Sequence, residues 1–141
     1  MKEILKIIPI VLFMFVGVIS MVMAFKNMFS KKFLPFHEKA VNRPWDEIDN
    51  PLKTVILTLL RLIGMGFLTI SILLLIFPIM NYFNPNKFYK YSIPVVALIF
   101  CTGLFAINYS LYKKTKADTP WKGSLYAMIT LIAGIIITFL N

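Results

Sequence analysis

Residues 50–80 read NPLKTVILTLLRLIGMGFLTISILLLIFPIM, the longest apolar run in the chain, and it carries a full charge, Arg61, between two apolar flanks. Asn50 before Pro51 is a helix-start signal: asparagine caps well, and proline at the first helical position gives up an N–H that has no partner there. Nothing breaks the helix before Pro78. About thirty residues at 1.5 Å each give roughly 45 Å, against a hydrocarbon slab about 30 Å thick. The surplus must tilt or protrude, and that decides the surroundings of Arg61. If residues 62–80, which hold no charge, fill the slab, Arg61 lies at the surface with its stem buried and its guanidinium wet. If the slab is filled from Thr54 onward, Arg61 lies about 10 Å deep and needs a partner.

Thr54, Thr58 and Arg61 fall at i, i+4 and i+7, on one helix face that continues through Met65 and Leu68. The cost of facing a cation to hydrocarbon predicts that this face turns inward, with Leu59, Ile63 and Phe67 toward lipid or neighbouring helices. Arg61 is then expected within reach of a carboxylate of Asp46, Glu47 or Asp49, or of Asn108, Tyr109 or Tyr112.

Of the 141 residues, 59% are hydrophobic and 15% charged, with a mean hydropathy of +0.79. Soluble domains do not reach such values, so the expected class is all-α, an integral membrane protein. The net charge of +9 would suit nucleic acid, but the lysines sit in short segments beside apolar runs. There they act as topology signals and as contacts to anionic lipid, and no basic recognition motif accompanies them. The single cysteine, Cys101, lies in an apolar run, which excludes an internal disulfide and a cysteine metal cluster and predicts a packed thiol.

Four spans are expected, at about 4–25, 51–80, 92–112 and 120–140. The first could be read as a signal peptide, with Lys2 and Lys6 before it and Val22-Met23-Ala24 resembling a cleavage site. Its length, and Lys26, Lys31 and Lys32 directly after it, favour a span. Gly17, Ser20 and Ala24 give it a small-residue stripe, and Gly123, Ala127, Thr130 and Gly134 give the fourth span another; close helix packing or self-association could use either. Phe25, Phe29, Phe33 and Phe36 continue at helical spacing among lysines, as in a helix turning into the interface until Pro35 stops it. Residues 26–50 form a charged interfacial loop anchored by Trp45. Asn84-Pro85-Asn86 is a turn within an aromatic belt. Pro94 suits the first turn of the third span, and Thr119-Pro120-Trp121 reads as cap, first-turn proline and interfacial anchor of the fourth. The loops at 26–50 and 113–119, with the residues flanking them, hold ten basic residues, whereas the amino terminus and the loop after residue 80 hold four, Lys2, Lys6, Lys87 and Lys90. By the positive-inside rule the rich loops are cytoplasmic and both termini lie outside. The architecture expected is a single antiparallel four-helix bundle.

Within the spans, polar side chains gather near the cytoplasmic ends: Thr58, Arg61, Asn108, Tyr109, Tyr112, Ser124 and Tyr126. That asymmetry predicts a shallow cytoplasm-facing pocket around Arg61, roofed by the loop of His37 and Glu38, rather than a pore through one subunit. Structural anchoring of Arg61 by Asp46, Glu47 or Asp49 competes with a ligand site. One histidine and one cysteine do not make a zinc site, and no phosphate loop, nucleophile elbow or metalloprotease motif is present, so neither a metal nor a cofactor is expected. Three functions follow as expectations: a non-enzymatic membrane component binding a partner protein or lipid, alone or as a homo-oligomer; an oligomeric transporter or channel for a small anion, using Arg61; and, more distantly, a lipid-modifying enzyme using His37 and Glu38.

The order Phe36-His37-Glu38, then Arg43-Pro44-Trp45-Asp46-Glu47-Ile48-Asp49, then Arg61-Leu62-Ile63-Gly64 resembles small, uncharacterised four-span bacterial membrane proteins. The resemblance covers about a third of the chain. It implies the four-span fold and a bacterial inner membrane location, and no activity.

Overall fold

Prolines and small residues set where the helices start and how closely they approach. The structure, a computed structural model, describes residues 2–140, with side chains from Lys6 onward. The side chain of Lys2, part of the amino-terminal charge count, lies outside the described residues. The helices are α1 (Lys2–Met28), α2 (Pro35–Val41), α3 (Asn50–Phe83), α4 (Lys87–Thr115) and α5 (Trp121–Phe139), with a 3-10 turn at Trp45–Glu47. No strand occurs among the described residues. The segment Lys6–Met28 of α1, together with α3, α4 and α5, is long and apolar enough to cross a membrane.

Each start differs in detail from the expectation. The cap of α3 is Asp49, not Asn50: its carboxylate accepts from the Leu52 N–H at 3.4 Å, a charge-assisted bond at the positive end of the helix. Pro35 opens α2 instead of ending an interfacial extension of α1, because proline fits an amino-terminal first turn. α4 starts at Lys87, capped by Asn86, which leaves Pro94 buried inside the helix rather than in its first turn. Thr119 does not cap α5. Its hydroxyl donates instead to the Asn108 carbonyl at 2.8 Å, tying the start of α5 to α4.

Contacts between α1 and α3 run in opposite order along the two helices. Gly17 meets Leu74 and Leu75, and Gly64 meets Ala24 and Met28. A Cβ on Gly64 would stand 3.0 Å from the Met28 backbone nitrogen and 3.1 Å from the Ala24 carbonyl oxygen, neither of which can swing aside. The small-residue stripe Gly17, Ser20, Ala24 is thus buried against α3, not held open for a second copy. Mid-seam, the buried Ser71 hydroxyl donates to the Gly17 carbonyl at 2.9 Å. α5 lies against α1, with Gly134 under Phe13. α4 joins α3 through an edge-to-face pair, Phe67 and Phe100, and joins α5 through stacked Tyr91 and Phe139. Phe13, Val16, Ile70, Leu74, Ala97, Cys101 and Leu131 form the core, with all four long helices contributing. Outward faces are apolar as well: Val22, Leu62, Ile99, Ile107 and Tyr126 are each at least 60% exposed.

Candidate functional site

The α3 residues turned toward the core are Leu60, Gly64, Ile70, Ser71 and Leu74. Close approach of α1 needs the glycine and the serine, so packing, not the charge, chooses the rotation of the helix. Arg61 is carried to the exposed side with Thr58, Thr54 and Met65, and the inward turn of that face is corrected. Leu59 and Ile63 do face outward, and Phe67 packs on Phe100. Arg61 forms no ion pair or hydrogen bond with Asp46, Glu47, Asp49, Asn108, Tyr109 or Tyr112 among the described residues. The physical reason is distance: Asp49 caps the start of α3, and Arg61 lies twelve residues further on, about 18 Å along the axis, out of reach of the carboxylates before the helix. The threonines satisfy themselves, Thr54 donating to the Asn50 carbonyl and Thr58 to that of Thr54.

Asn108, Tyr109 and Tyr112 do come together, as structure at the end of α4. The Asn108 amide donates to the Leu104 carbonyl at 2.9 Å. Tyr109 stacks on Phe105, and Trp121 closes edge-on against Phe105 and Tyr109 and tilts against Tyr112. Lysine ammoniums lie over these rings: Lys113 at 4.9 Å from the Tyr109 centroid, Lys116 at 5.9 Å from Tyr112 and Lys122 at 5.7 Å from Trp121. Across the same end, Lys53 lies 5.7 Å from Trp45. This is the basic end of the molecule.

His37 closes on the start of its own helix. Its Nδ1 accepts from the Leu34 N–H at 3.3 Å while the backbone N–H of His37 donates to the Leu34 carbonyl at 2.8 Å, a reciprocal clasp on the start of α2. The ring is tilted against Phe33 and Phe36, and Phe33 packs edge-on against Trp45 at 4.9 Å. Burial of the imidazole pushes its pKa below the ordinary value. Glu38 is half-buried on the next position of α2. Among the described residues no group of three or more histidine, cysteine or acidic side chains could hold a metal ion.

A half-open cavity of about 480 Å³ lies at the opposite end, between α1, α3 and α4, beside the turn at 84–86. Pro9 and Pro78 stand in its walls. Each removes a ladder hydrogen bond and tends to bend its helix, a sufficient reason for helices to part here. Lys6, Asn81 and Lys90 also line it. In the sequence alone Lys6 and Lys90 read as topology signals, Lys6 also as the flank of a signal peptide. The usable signal was two spans interrupted by proline near the same end, a pattern that marks binding sites between membrane helices. No family model, curated protein or solved structure matches this chain.

Proposed function

We propose that the chain is an integral protein of a bacterial inner membrane, an antiparallel four-helix bundle with its basic end in the cytoplasm and both termini outside. Its work in this reading is binding rather than catalysis, and the basic end engages anionic lipid headgroups. The observation that carries the reading is the set of four lysines held over aromatic rings at that end. Tyrosine and tryptophan settle at headgroup depth, and each ammonium held there gains on the order of 1 kcal/mol from an anionic surface. Arg61, eight residues along α3 from Lys53, lies about 12 Å deeper, within reach of the headgroups for a long side chain facing outward. In nanodiscs made from mixed phosphatidylglycerol and phosphatidylcholine, the protein should enrich phosphatidylglycerol around itself. Replacing Lys53, Lys113, Lys116 and Lys122 by glutamine should lower that enrichment severalfold, and unchanged enrichment would overturn the reading.

Anion transport is a second reading, favoured by one observation: Arg61 is exposed on a single chain, so a homo-oligomer could bury it between copies. Proteoliposome anion flux that is unaltered by Arg61→Ala counts against it. The clasp of His37 on Leu34 favours a structural role for the histidine over lipid chemistry, and membrane lipid composition independent of the protein would agree.

A further inference from the structure

The cavity beside the turn at 84–86 is sorted by depth on three helices at once. On α1, Lys6 is at the mouth, with Ile10 and Phe13 at i+4 and i+7 on the same face, about 10 Å further in. On α3, which ends here, Asn81 is at the mouth and Phe77 lies one turn deeper. On α4, which begins here, Lys90 is at the mouth and Ile93 lies one turn deeper. Three independent stretches of sequence therefore place polar groups outermost and apolar groups inward.

The charged groups at the mouth are of one sign, and Tyr82 and Tyr89 stand beside them. Lys6 and Lys90 are cations, and no acidic side chain lines the cavity among the described residues. The Oδ1 of Asn81 accepts from the Asn86 N–H at 2.8 Å, so what the amide still offers is its N–H donors. The hydroxyl of Thr138, at the α5 side, is committed as donor to the Gly134 carbonyl at 2.7 Å. Phe77, one turn below Asn81, is tilted against Tyr89 beside Lys90 with centroids 5.4 Å apart, which gives the wall an aromatic lining. Cations and donors at the mouth complement a phosphate or carboxylate, and the apolar interior complements hydrocarbon. A volume of about 480 Å³ falls within the usual size range of small-molecule sites.

We infer that this cavity binds one anionic amphiphile, its phosphate or carboxylate held between Lys6 and Lys90 and its acyl chain running inward past Phe77 and Ile93 toward Phe13. The site is at the opposite end from the basic surface proposed above and does not depend on it.

The test is native mass spectrometry of the full chain in mild non-ionic detergent, titrated separately with phosphatidylglycerol, palmitate, phosphatidylcholine and glycerol phosphate. One phosphatidylglycerol or one palmitate should bind at least about tenfold more tightly than phosphatidylcholine, since two lysines contribute to holding the anion. Which of the two binds tells a phospholipid from a fatty acid as the source. Lys6→Gln with Lys90→Gln should remove that preference, and Lys6→Arg with Lys90→Arg should keep it. Ile93→Trp, which fills the cavity, should remove binding of every amphiphile. Lys87→Gln, at the same end but outside the cavity lining, should leave the binding and its preference in place. Equal binding of phosphatidylcholine, glycerol phosphate binding as tightly as the amphiphiles, or a loss from Lys87→Gln equal to that from the Lys6/Lys90 glutamine pair would overturn the inference. Variants are compared only where their helical circular dichroism and detergent unfolding match the parent. If the Lys6/Lys90 glutamine pair fails that standard, Ile93→Trp and the arginine pair decide the matter.

Discussion

The two ends of the molecule carry opposite combinations of charge and packing. The basic end holds most of the lysines, Arg61 and the aromatic cluster, and its rings and hydroxyls are spent on one another: Trp121 against three rings, Thr119 on the Asn108 carbonyl, His37 on Leu34. The other end has few charges and two helix-breaking prolines, and it holds the cavity. Polar residues in a membrane helix therefore do not by themselves mark an open site. Whether they meet neighbours able to satisfy them decides that, and helix geometry decides where space is left.

The contrast is sharpest where packing is tightest. Gly64→Leu should cost about 3 kcal/mol or more, at the upper end of the cost of overpacking, because the Met28 and Ala24 backbones block the new side chain. Gly123→Leu, with nothing within 4 Å of its Cβ position, should be nearly neutral. Unfolding in mixed detergent micelles measures both, and similar losses would mean that the seam of α1 and α3 is not the tight region. At the basic end, Trp121→Ala should cost about 2 kcal/mol in the same assay, less than a fully buried tryptophan because Trp121 is half-buried. A loss below about 0.5 kcal/mol would show that the aromatic cluster is decoration rather than the clamp between α4 and α5. Ser71→Ala, which removes the hydrogen bond to Gly17, should cost only about 0.6 kcal/mol, the average for such bonds between membrane helices.

The smallest effect is local and depends on pH. Burial depresses the folded pKa of His37 below the ordinary 6.5, so the folded state prefers the neutral ring. Its contribution is fully present above about pH 6.5 and is lost as the pH falls through the lower folded value, when protonated Nδ1 can no longer accept from Leu34. In a Trp121→Phe background, Trp45 fluorescence should change on acidification below that range. The change should be absent in His37→Phe, and persistence there would assign the transition to another group.

The helices were legible from residues 50–80 onward because apolar length and proline position are local properties. The charged loop was legible as a loop, though not the α2 turn that Pro35 starts. The rotation of α3 was not legible. Arg61 points to one rotation through the penalty for a charge in hydrocarbon, yet Gly64 and Ser71 must meet α1, and an arginine near a helix end escapes much of that penalty by reaching to the surface. The cavity is equally non-local: Lys6 precedes Asn81 and Lys90 by about 75 residues or more, and only the pairing of α1, α3 and α4 brings them to one mouth.

The central claim, that the basic end and the cavity end lie on opposite sides of a membrane, is tested most directly by cysteine accessibility in bacterial cells expressing the chain. With Cys101, which is buried, replaced by alanine, single cysteines are placed at Lys114 beside the lysine-rich end and at Asn86 beside the cavity. A membrane-impermeant maleimide should label Asn86→Cys in intact cells and Lys114→Cys only after permeabilisation. Labelling of both positions in intact cells, or of neither until permeabilisation, would contradict the account.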